Sequence, residues 1–270
     1  MDPFRDRVAV ITGGAGGIGM AMARAFAARG AKLVLADLDE GALQRATADL
    51  RAAGADALGV RTDVTRLESM HALAAAARSQ FGGVHIVCNN AGIALFGEMQ
   101  HASHNDWVFT MNVNFWGVVH GLEAFVPLLT KQGQGGHIVN TASMAGLIGM
   151  RWLGIYSASK FAVVGLSEAL HRELEPLGIG VSVLCPMIVD TQINQNSARM
   201  RPAELRNAEE APMPPSASMA GGTIAPEEVG RRVVRAIERR DLYILTHPEQ
   251  REILRRRAAR LDAMFEEDRW

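Results

Sequence analysis

The 270-residue chain contains little cysteine, almost no net charge and no long apolar run. Its two cysteines, Cys88 and Cys185, lie far apart and match no metal-ligand spacing, so we expect a reduced, cytoplasmic protein without a metal site. The formal net charge of −1 argues against electrostatic binding to nucleic acid or to an acidic membrane surface. No apolar run reaches the roughly 18–20 residues of a membrane-spanning helix, and the first residues lack the pattern of a signal segment. We therefore expect neither a nucleic-acid partner nor a membrane partner.

What the chain does contain is an alternation of short β-branched runs and alanine-rich segments. The runs VAVI, LVLA, IVCN and VSVL are almost continuously apolar, which is typical of strands buried on both faces of a parallel sheet. The predicted strands are Val8–Ile11, Lys32–Ala36, Ala57–Arg61, His85–Cys88, His137–Thr141, Val181–Cys185 and Leu242–Leu245. The predicted helices lie near 17–29, 39–53, 65–81, 103–131 and 154–176. The alternation predicts an α/β fold with a doubly wound parallel sheet, although the length alone also allows two small domains.

One region interrupts this alternation. From Met187 to Ala225 the chain is rich in methionine, proline, asparagine and serine, and this segment is too long for an ordinary connection. We predict that 187–225 is a lid that closes on a substrate and excludes water. Order returns at Pro226, where a proline followed by two acidic residues suits a helix start. The charged segment 248–270 is predicted to form a C-terminal helix.

The first predicted strand runs directly into 12-TGGAGGIG-19. Glycines between a strand and a helix allow a tight turn and let the backbone approach a pyrophosphate, which then faces the N–H groups of the helix start. The spacing of Gly13, Gly17 and Gly19 differs from G-x-G-x-x-G, and no Gly-Lys-Ser/Thr follows to make a P-loop. The turn, with Ile18 inside it, predicts a nucleotide site. A plain turn is the alternative.

The second predicted strand ends at an acidic residue, Asp37, which can bond both hydroxyls of an adenine ribose. Its charge would repel a 2′-phosphate, and neither the glycine turn nor Leu38 supplies a compensating cation. The sequence therefore predicts NAD in preference to NADP, the alternative being that Asp37 only caps the next helix. Asp63 and Val64 follow the third predicted strand and are placed to flank the adenine, although Asp63 is equally compatible with a helix cap.

A tyrosine and a lysine stand four residues apart in 156-YSASK-160, so they would share one face of a helix. Alone they are compatible with an ordinary surface pair. Together with TGGAGGIG, 89-NNAG-92, Asn114 in NVNFWG and Ser143 in NTASMAG, in that order, they resemble the short-chain dehydrogenase/reductase family over residues 7–190. The resemblance implies a single Rossmann-type domain that spans the whole chain, with about seven strands, and assembly as a homodimer or homotetramer.

The same resemblance implies that Asn114, Ser143, Tyr156 and Lys160 form the catalytic set. Tyr156 would exchange a proton with the substrate oxygen while hydride passes between the substrate carbon and the nicotinamide. A free tyrosine has a pKa near 10, so we expect Lys160 and the positive ring of NAD⁺ to favour the phenolate, a shift that needs roughly 4 kcal/mol. Ser143 would hold the substrate oxygen, and Lys160 would also bind the nicotinamide ribose. Asn114 would hold a relay water, or would simply bond to neighbouring backbone.

Further cofactor contacts are implied by the resemblance. In addition to Tyr156, Lys160 and the residues named above, they are Asn90, Ala91, Gly92, Pro186, Ile188 and Thr191. The family reads Pro-Gly and then a threonine after the sixth strand, whereas this chain reads 186-PMIVDT-191. Met187 therefore places a flexible apolar side chain where the family has glycine. This departure predicts a local change in the backbone and in the substrate pocket.

The predicted substrate pocket is apolar. Its predicted lining residues are Leu95, Met144, Met150, Met187 and Ile193. Apolar walls select hydrophobic alcohols over sugars or acids through buried area, so we expect a small hydrophobic secondary alcohol and its ketone. The segments RMRPAEL and LYILTHPEQRE and the C-terminal helix are similar to the branch that includes bacterial Cα-dehydrogenases of aryl secondary alcohols.

Two other functions stay open from the sequence. A β-ketoacyl carrier-protein reductase usually prefers NADP and carries basic residues for its acidic carrier, and both Asp37 and the long lid argue against it. A catalytically silent NAD-binding regulator has no need of the four residues Asn114, Ser143, Tyr156 and Lys160. The sequence therefore favours an enzyme over a regulator, and a hydrophobic alcohol over an acyl carrier.

Overall fold

The computed structural model describes residues 2–207 and 222–265. Within these ranges the chain folds into a parallel sheet flanked by helices, as the sequence predicts. The remaining parts of the predicted lid and of the predicted C-terminal helix, residues 208–221 and 266–270, lie outside the described residues. Among the described helices, none has both the length and the apolar character that crossing a bilayer requires.

The order of the strands determines where a ligand can bind. The strands are β1 (Val8–Thr12), β2 (Lys32–Asp37), β3 (Ala57–Arg61), β4 (Ile86–Asn89), β5 (Gly136–Thr141), β6 (Ile179–Cys185) and β7 (Tyr243–Leu245). They form one parallel seven-stranded sheet in the order β3-β2-β1-β4-β5-β6-β7, which confirms the predicted doubly wound fold. The direction of winding reverses between β1 and β4. In such sheets ligands bind outside the carboxyl ends of the strands, at this reversal.

Helices cover both faces of the sheet. They are α1 (Gly17–Ala27), α2 (Glu40–Ala52), α3 (Leu67–Phe81), α4 (His104–Met111), α5 (Gly117–Gln132), α6 (Gly154–Leu174), α7 (Ile193–Arg199), α8 (Pro226–Arg239) and α9 (Gln250–Asp262). Where the sequence predicts one helix over 103–131, a π-helical turn at Asn112–Trp116 separates α4 from α5. Such widened turns occur frequently at functional sites. This one contains Asn114, which is fully buried.

Two separate apolar layers hold the helices against the sheet. Successive residues of a strand point to opposite faces. On β1, Val10 therefore packs with α3, α5 and α6, while Ile11 packs with α1, α2 and α8. Phe125 of α5 and Phe26 of α1 are fully buried, one in each layer. Burial on both faces explains why the strands read as nearly continuous apolar runs.

The described part of the lid is more regular than the sequence predicts. It contains the short helix α7, in which the hydroxyl of Ser197 donates to the carbonyl of Ile193 at 2.6 Å. The two ends of the lid meet, because Val189 and Ile224 form an isolated parallel bridge just before α8. A helix this short is not stable on its own, so α7 depends on contacts with the rest of the protein.

Candidate active site

The segment between β1 and α1 makes a tight turn at the carboxyl edge of the sheet. Gly13 and Gly17 have φ angles of 63° and 50°, in the left-handed region that favours glycine. A side chain on Gly19 would collide with the carbonyl oxygen of Gly13. No side chain caps α1, and its first turn holds no acidic residue, so the N–H groups at the helix start can bind an anion. The turn therefore fits the pyrophosphate of a dinucleotide.

Asp37 ends β2 and supports this glycine turn directly. One carboxylate oxygen accepts a hydrogen bond from the N–H of Ala15 and the other from the N–H of Asp39, both at 3.1 Å. Burial raises the pKa of Asp37, and these hydrogen bonds oppose the rise. The helix cap is provided by Asp39 instead, which accepts from the N–H of Ala42 at the start of α2. Each oxygen of Asp37 keeps a lone pair for a ribose hydroxyl.

The residues predicted to flank the adenine lie beside the end of β2. The N–H of Thr62 donates to the carbonyl oxygen of Asp37 at 2.9 Å, which brings the ends of β2 and β3 together. One oxygen of Asp63 accepts from the N–H and the hydroxyl of Thr65, at 3.0 and 2.7 Å. Asp63 thus closes the turn before α3, and Val64 behind it is almost completely buried. Their contact with an adenine stays a prediction.

The turn after β4 is joined to the glycine turn by Thr12. The Thr12 hydroxyl accepts from the N–H groups of Asn90 and Ala91, at 2.9 and 3.0 Å, and donates to the carbonyl of Cys88 at 3.3 Å. The side-chain amide of Asn90 donates to the carbonyl of Thr12 at 3.0 Å. These bonds give NNAG a structural role and place Ala91 and Gly92 beside the predicted cofactor groove.

The segment after β6 brings its threonine to the glycine turn. The side chain of Thr191 lies against Gly17, although the two residues are far apart in the chain. Met187, Ile188 and Thr191 are all half-buried. The carbonyl of Ile188 accepts from the N–H of Ile224 at 3.1 Å, so the far end of the lid fixes the backbone next to Met187. The backbone next to Met187, where the sequence predicts a local change, is therefore fixed by two contacts. Ile224 bonds it on one side, and Thr191 packs against Gly17 on the other.

Tyr156 and Ser143 meet at the carboxyl edge, one from α6 and the other from the segment after β5. Their side-chain hydroxyls lie close enough to interact. The hydroxyl of Ser143 also lies 3.4 Å from the carbonyl of Pro186, to which it can donate, and accepts from the N–H of Ala145 at 3.1 Å. Tyr156 is half-buried, so part of its surface stays accessible. The two hydroxyls can therefore contact one substrate oxygen together.

Lys160 lies one helical turn further along α6 and is 3% exposed. Its ammonium donates to the carbonyl of Thr141 at 2.9 Å and lies 5.6 Å from the centroid of the Tyr156 ring. Gly92 lies beside this ammonium as well. The tyrosine and the lysine therefore lie at the carboxyl edge of the sheet, with the lysine buried, and they do not form a surface pair.

Burial controls the titration of this pair in the protein alone. It raises the pKa of Tyr156 and lowers that of Lys160 to about 8, because leaving water disfavours the charged form of each group. The hydrogen bond with Ser143 opposes the first shift. The expectation that Lys160 would lower the pKa of Tyr156 is thus not met by the protein alone, which holds a neutral phenol at neutral pH.

Asn114 is bonded to backbone within the core. Its side-chain oxygen accepts from the N–H of Ile93 at 2.9 Å, and its amide donates to the carbonyl of Ile93 at 3.0 Å and to the hydroxyl of Ser159 at 3.2 Å. Of the two roles expected for Asn114, the structure contains the bonds to neighbouring backbone. The relay water stays a prediction.

The predicted substrate-pocket residues differ in their burial. The half-buried members are Leu95, Met150, Met187 and Ile193. Met144 exposes no surface, so it can shape a pocket only from behind other side chains. An open cavity of about 380 Å³ lies at Met150 and Trp152. Within residues 2–207 and 222–265, no three His, Cys, Asp or Glu side chains gather as a metal site would require.

Comparison with known proteins decides the family. A family model described as short chain dehydrogenase matches residues 7–202. The chain belongs to the short-chain dehydrogenase/reductase family. A crystal structure of a family member from Burkholderia phymatum, in complex with NAD, is 43% identical and has a TM-score of 0.91, covering 98% of this chain and 97% of its own.

Two curated members of the family are also similar to this chain. The C alpha-dehydrogenase of Sphingobium sp. strain SYK-6 is 35% identical, over 93% of this chain and 84% of its own length. The 1-deoxy-11-beta-hydroxypentalenate dehydrogenase of Streptomyces exfoliatus is 38% identical, over 74% of each chain. Membership of the family makes the protein an oxidoreductase, and the predicted resemblance is confirmed.

Several residues at the site escape prediction from the sequence. Thr12 joins two turns through its hydroxyl, and Thr141 holds Lys160 through its carbonyl, yet a threonine at a strand end is too common to carry a signal. His247 and Gln250 are buried near the end of β6. Their only sequence signal is a run of polar residues, THPEQ, placed directly after a strand.

Proposed function

We propose that the protein is an NAD-dependent oxidoreductase that interconverts a hydrophobic secondary alcohol and its ketone. The observation that carries the proposal is the meeting of Tyr156, Ser143 and Lys160 at the carboxyl edge of the sheet, where the glycine turn also lies. A silent NAD-binding regulator would need the glycine turn alone. The adjacent tyrosine and serine beside a buried lysine support the enzyme.

Each of these side chains has a task when an alcohol is oxidised. Tyr156 takes the hydroxyl proton, while Ser143 hydrogen-bonds the same oxygen and holds it in place. NAD⁺, when bound, supplies the hydride acceptor. Because burial raises the pKa of Tyr156, the phenol needs added positive charge to act as a base. We expect the positive nicotinamide ring, when bound, to supply it together with the Lys160 ammonium, which lies 5.6 Å from the centroid of the Tyr156 ring. In the reverse direction the same phenol protonates the carbonyl oxygen.

NAD is the proposed cofactor in preference to NADP. The carboxylate of Asp37 sits at the end of β2, beside the glycine turn, and would repel a 2′-phosphate. The Burkholderia phymatum relative was crystallised with NAD, which supports the same choice. This carboxylate argues against the alternative, a β-ketoacyl carrier-protein reductase, because such enzymes usually use NADP.

A hydrophobic substrate is proposed from the character of the cleft. Leu95, Met150, Met187 and Ile193 are apolar and only half-buried, so they leave surface for an apolar ligand. The relatives' names, a C alpha-dehydrogenase and a hydroxypentalenate dehydrogenase, support a bulky secondary alcohol. We expect an aromatic or alicyclic body next to the reacting carbon.

The chain has two tyrosines, which supplies a matched control for the test. Tyr156→Phe removes only the phenol oxygen, and we expect turnover of a secondary-alcohol panel with NAD⁺ to fall by about a hundred- to ten-thousand-fold. Tyr243→Phe removes a phenol that bonds Glu168 at 2.5 Å on the outer side of α6, and it should retain nearly full turnover. Both variants should bind NAD⁺ like the wild type in a fluorescence titration.

The outcomes of this experiment separate the possible functions. Full activity in Tyr156→Phe would overturn the proposed mechanism. Good NAD⁺ binding by the wild type, without turnover of any alcohol or ketone, would favour the silent regulator. Turnover confined to NADPH and a ketoacyl substrate would favour the carrier-protein reductase.

A further inference from the structure

Gln250, the first residue of α9, is fully buried and bonds three backbone groups. Its side-chain oxygen accepts from the N–H groups of Thr246 and His247, at 3.2 and 3.1 Å, and its amide donates to the carbonyl of Cys185 at 2.9 Å. The last paired residues of β6 and β7 are Cys185 and Leu245. Gln250 thus continues the hydrogen bonding of these two strands beyond the end of their ladder.

The strand end held by Gln250 leads directly to a predicted catalytic side chain. Pro186 follows Cys185, and its carbonyl accepts from the N–H of Met144 at 2.8 Å and lies 3.4 Å from the hydroxyl of Ser143. The side chain of Ser143 in turn lies beside that of Tyr156. A movement of the end of β6 would therefore be transmitted through Pro186 to the hydroxyl that holds the substrate oxygen.

His247 connects the same cluster to the lid. Its Nε2 donates to the carbonyl of Gly222 at 2.9 Å, and its Nδ1 accepts from the hydroxyl of Thr246 at 2.7 Å. His247 is 4% exposed. Gly222 lies at the returning end of the lid, close to the bridge between Val189 and Ile224. The position of this end therefore depends on the imidazole.

We propose that Gln250 and His247 are positioning residues of the active site. Gln250 fixes the end of β6, so that Pro186 keeps the Ser143 side chain in place beside Tyr156. His247 fixes the returning end of the lid. The inference rests on the proposed function, because it assigns both residues to the site of that reaction. Neither residue touches the reacting atoms; each acts through the backbone that carries Ser143 or the lid.

The chain supplies a matched control at the opposite edge of the sheet. The side-chain oxygen of Gln132 accepts from the N–H of Val84 at 3.1 Å, and its amide donates to the carbonyl of Val84 at 2.9 Å. Val84 lies two residues before β4, so this glutamine supports the amino edge, away from the predicted cleft. Replacing each glutamine by methionine removes the same kind of backbone support at the two edges.

The test compares Gln250→Met with Gln132→Met in the full chain. We expect both variants to unfold at a lower temperature, and only Gln250→Met to lose at least about tenfold in kcat, with a smaller change in KM for the alcohol. Amide hydrogen exchange of the protein alone gives a readout that does not depend on turnover. Gln250→Met should accelerate exchange at the Met144 and Ile224 amides, and Gln132→Met should leave both unchanged.

A second variant keeps the proposal testable if Gln250→Met does not fold. His247→Asn shortens the reach to Gly222, and we expect faster exchange at Ile224 and a raised KM. Equal kcat values for the two glutamine variants, or unchanged exchange at Met144 and Ile224, would overturn the positioning role. If the wild type turns over no substrate, the proposed function fails, and the exchange data still decide whether the cluster holds Pro186 and the lid.

Discussion

Asp37 supports the protein's own backbone and is also the residue expected to select the cofactor. Its carboxylate holds the glycine turn through Ala15 and the following loop through Asp39. A truncation to alanine would remove both supports together with the charge. The role in cofactor choice must therefore be tested by a substitution that removes the charge and keeps most of the shape.

We predict that Asp37→Asn shifts the cofactor preference towards NADP. The amide oxygen can still accept from one backbone N–H, while the repulsion of a 2′-phosphate, worth about 1–4 kcal/mol at contact distance near a surface, is lost. The ratio of kcat/KM for NADP⁺ to that for NAD⁺ should therefore rise about tenfold or more. Asp63→Asn makes the same change at the end of β3 and should leave the ratio unchanged. An unaltered ratio in Asp37→Asn would contradict the assignment.

At this scale the sequence predicts which side chains lie together better than it predicts their environment. Tyr156, Ser143 and Lys160 come together as the ordered motifs imply. The direction of the pKa shifts could not be predicted, because it depends on burial by residues from β5 and β6. Met144 is predicted from its place in the chain alone, and no sequence pattern tells that its side chain points into the core.

Polar contacts tie the described part of the lid to other elements of the protein. The hydroxyl of Ser197 on α7 accepts from the N–H of Ala94 at 2.9 Å, after β4. Two arginines then bind carboxylates on other elements, Arg199 with Asp39 at 2.8 Å and Arg201 with Asp106 at 2.7 Å. The side chains of the second pair are 14% and 7% exposed, against 60% and 19% for the first. The second pair should therefore contribute more to holding this segment against the rest of the protein.

We predict that Arg201→Met opens the lid far more than Arg199→Met does. Loss of the more buried pair, Arg201 with Asp106, should lower the free energy of opening this segment by about 2 kcal/mol, and loss of the exposed pair by less than about 1 kcal/mol. Amide hydrogen exchange over residues 193–207 measures both effects. The small effect of Arg199→Met should also shrink at high salt. Similar exchange in the two variants at neutral pH would contradict the prediction.

The pH dependence of this contact has a definite sign. Burial raises the pKa of Asp106, but hydrogen bonds from Ser103, Arg201 and Asn207 outweigh it and leave the pKa lowered. A carboxyl with a lowered pKa stabilises the folded state above its unfolded pKa of about 4, and this contribution is lost as the pH falls through the folded value. The difference between wild type and Arg201→Met should therefore be complete at neutral pH and disappear in acid.

Helices with an apolar period are predictable from this sequence, and helices held by tertiary contacts are not. The segment TQINQNSAR has no apolar stripe, and α7 forms there because Ser197 and Arg199 find partners outside the helix. The π-helical turn at Asn112–Trp116 is equally hidden, since the apolar pattern of 103–131 continues through it. In both places the deciding interaction lies far away in the chain, at Ala94, Asp39 or Ile93.

At the scale of the molecule, the described residues form one sheet between two apolar layers that share no side chains. Val10 and Ile11, adjacent on β1, belong to different layers. The expectation of one domain over 1–270 implies that neither layer is stable without the other, because each strand carries residues of both. The expected homodimer or homotetramer would add burial outside these layers, which light scattering on the purified protein can measure.

We predict that damage to either layer destabilises the whole molecule equally. Phe26→Ala and Phe125→Ala each empty a fully buried position, one per layer, and each should lower the free energy of unfolding by about 3–5 kcal/mol. Urea unfolding followed by circular dichroism and by tryptophan fluorescence should show one coincident transition in both variants. Leu177→Ala, at a side chain that is 49% exposed, is the control and should change the free energy by no more than about 0.5 kcal/mol. Two separate transitions in either phenylalanine variant would mean that the layers fold independently and that the single-domain prediction is wrong.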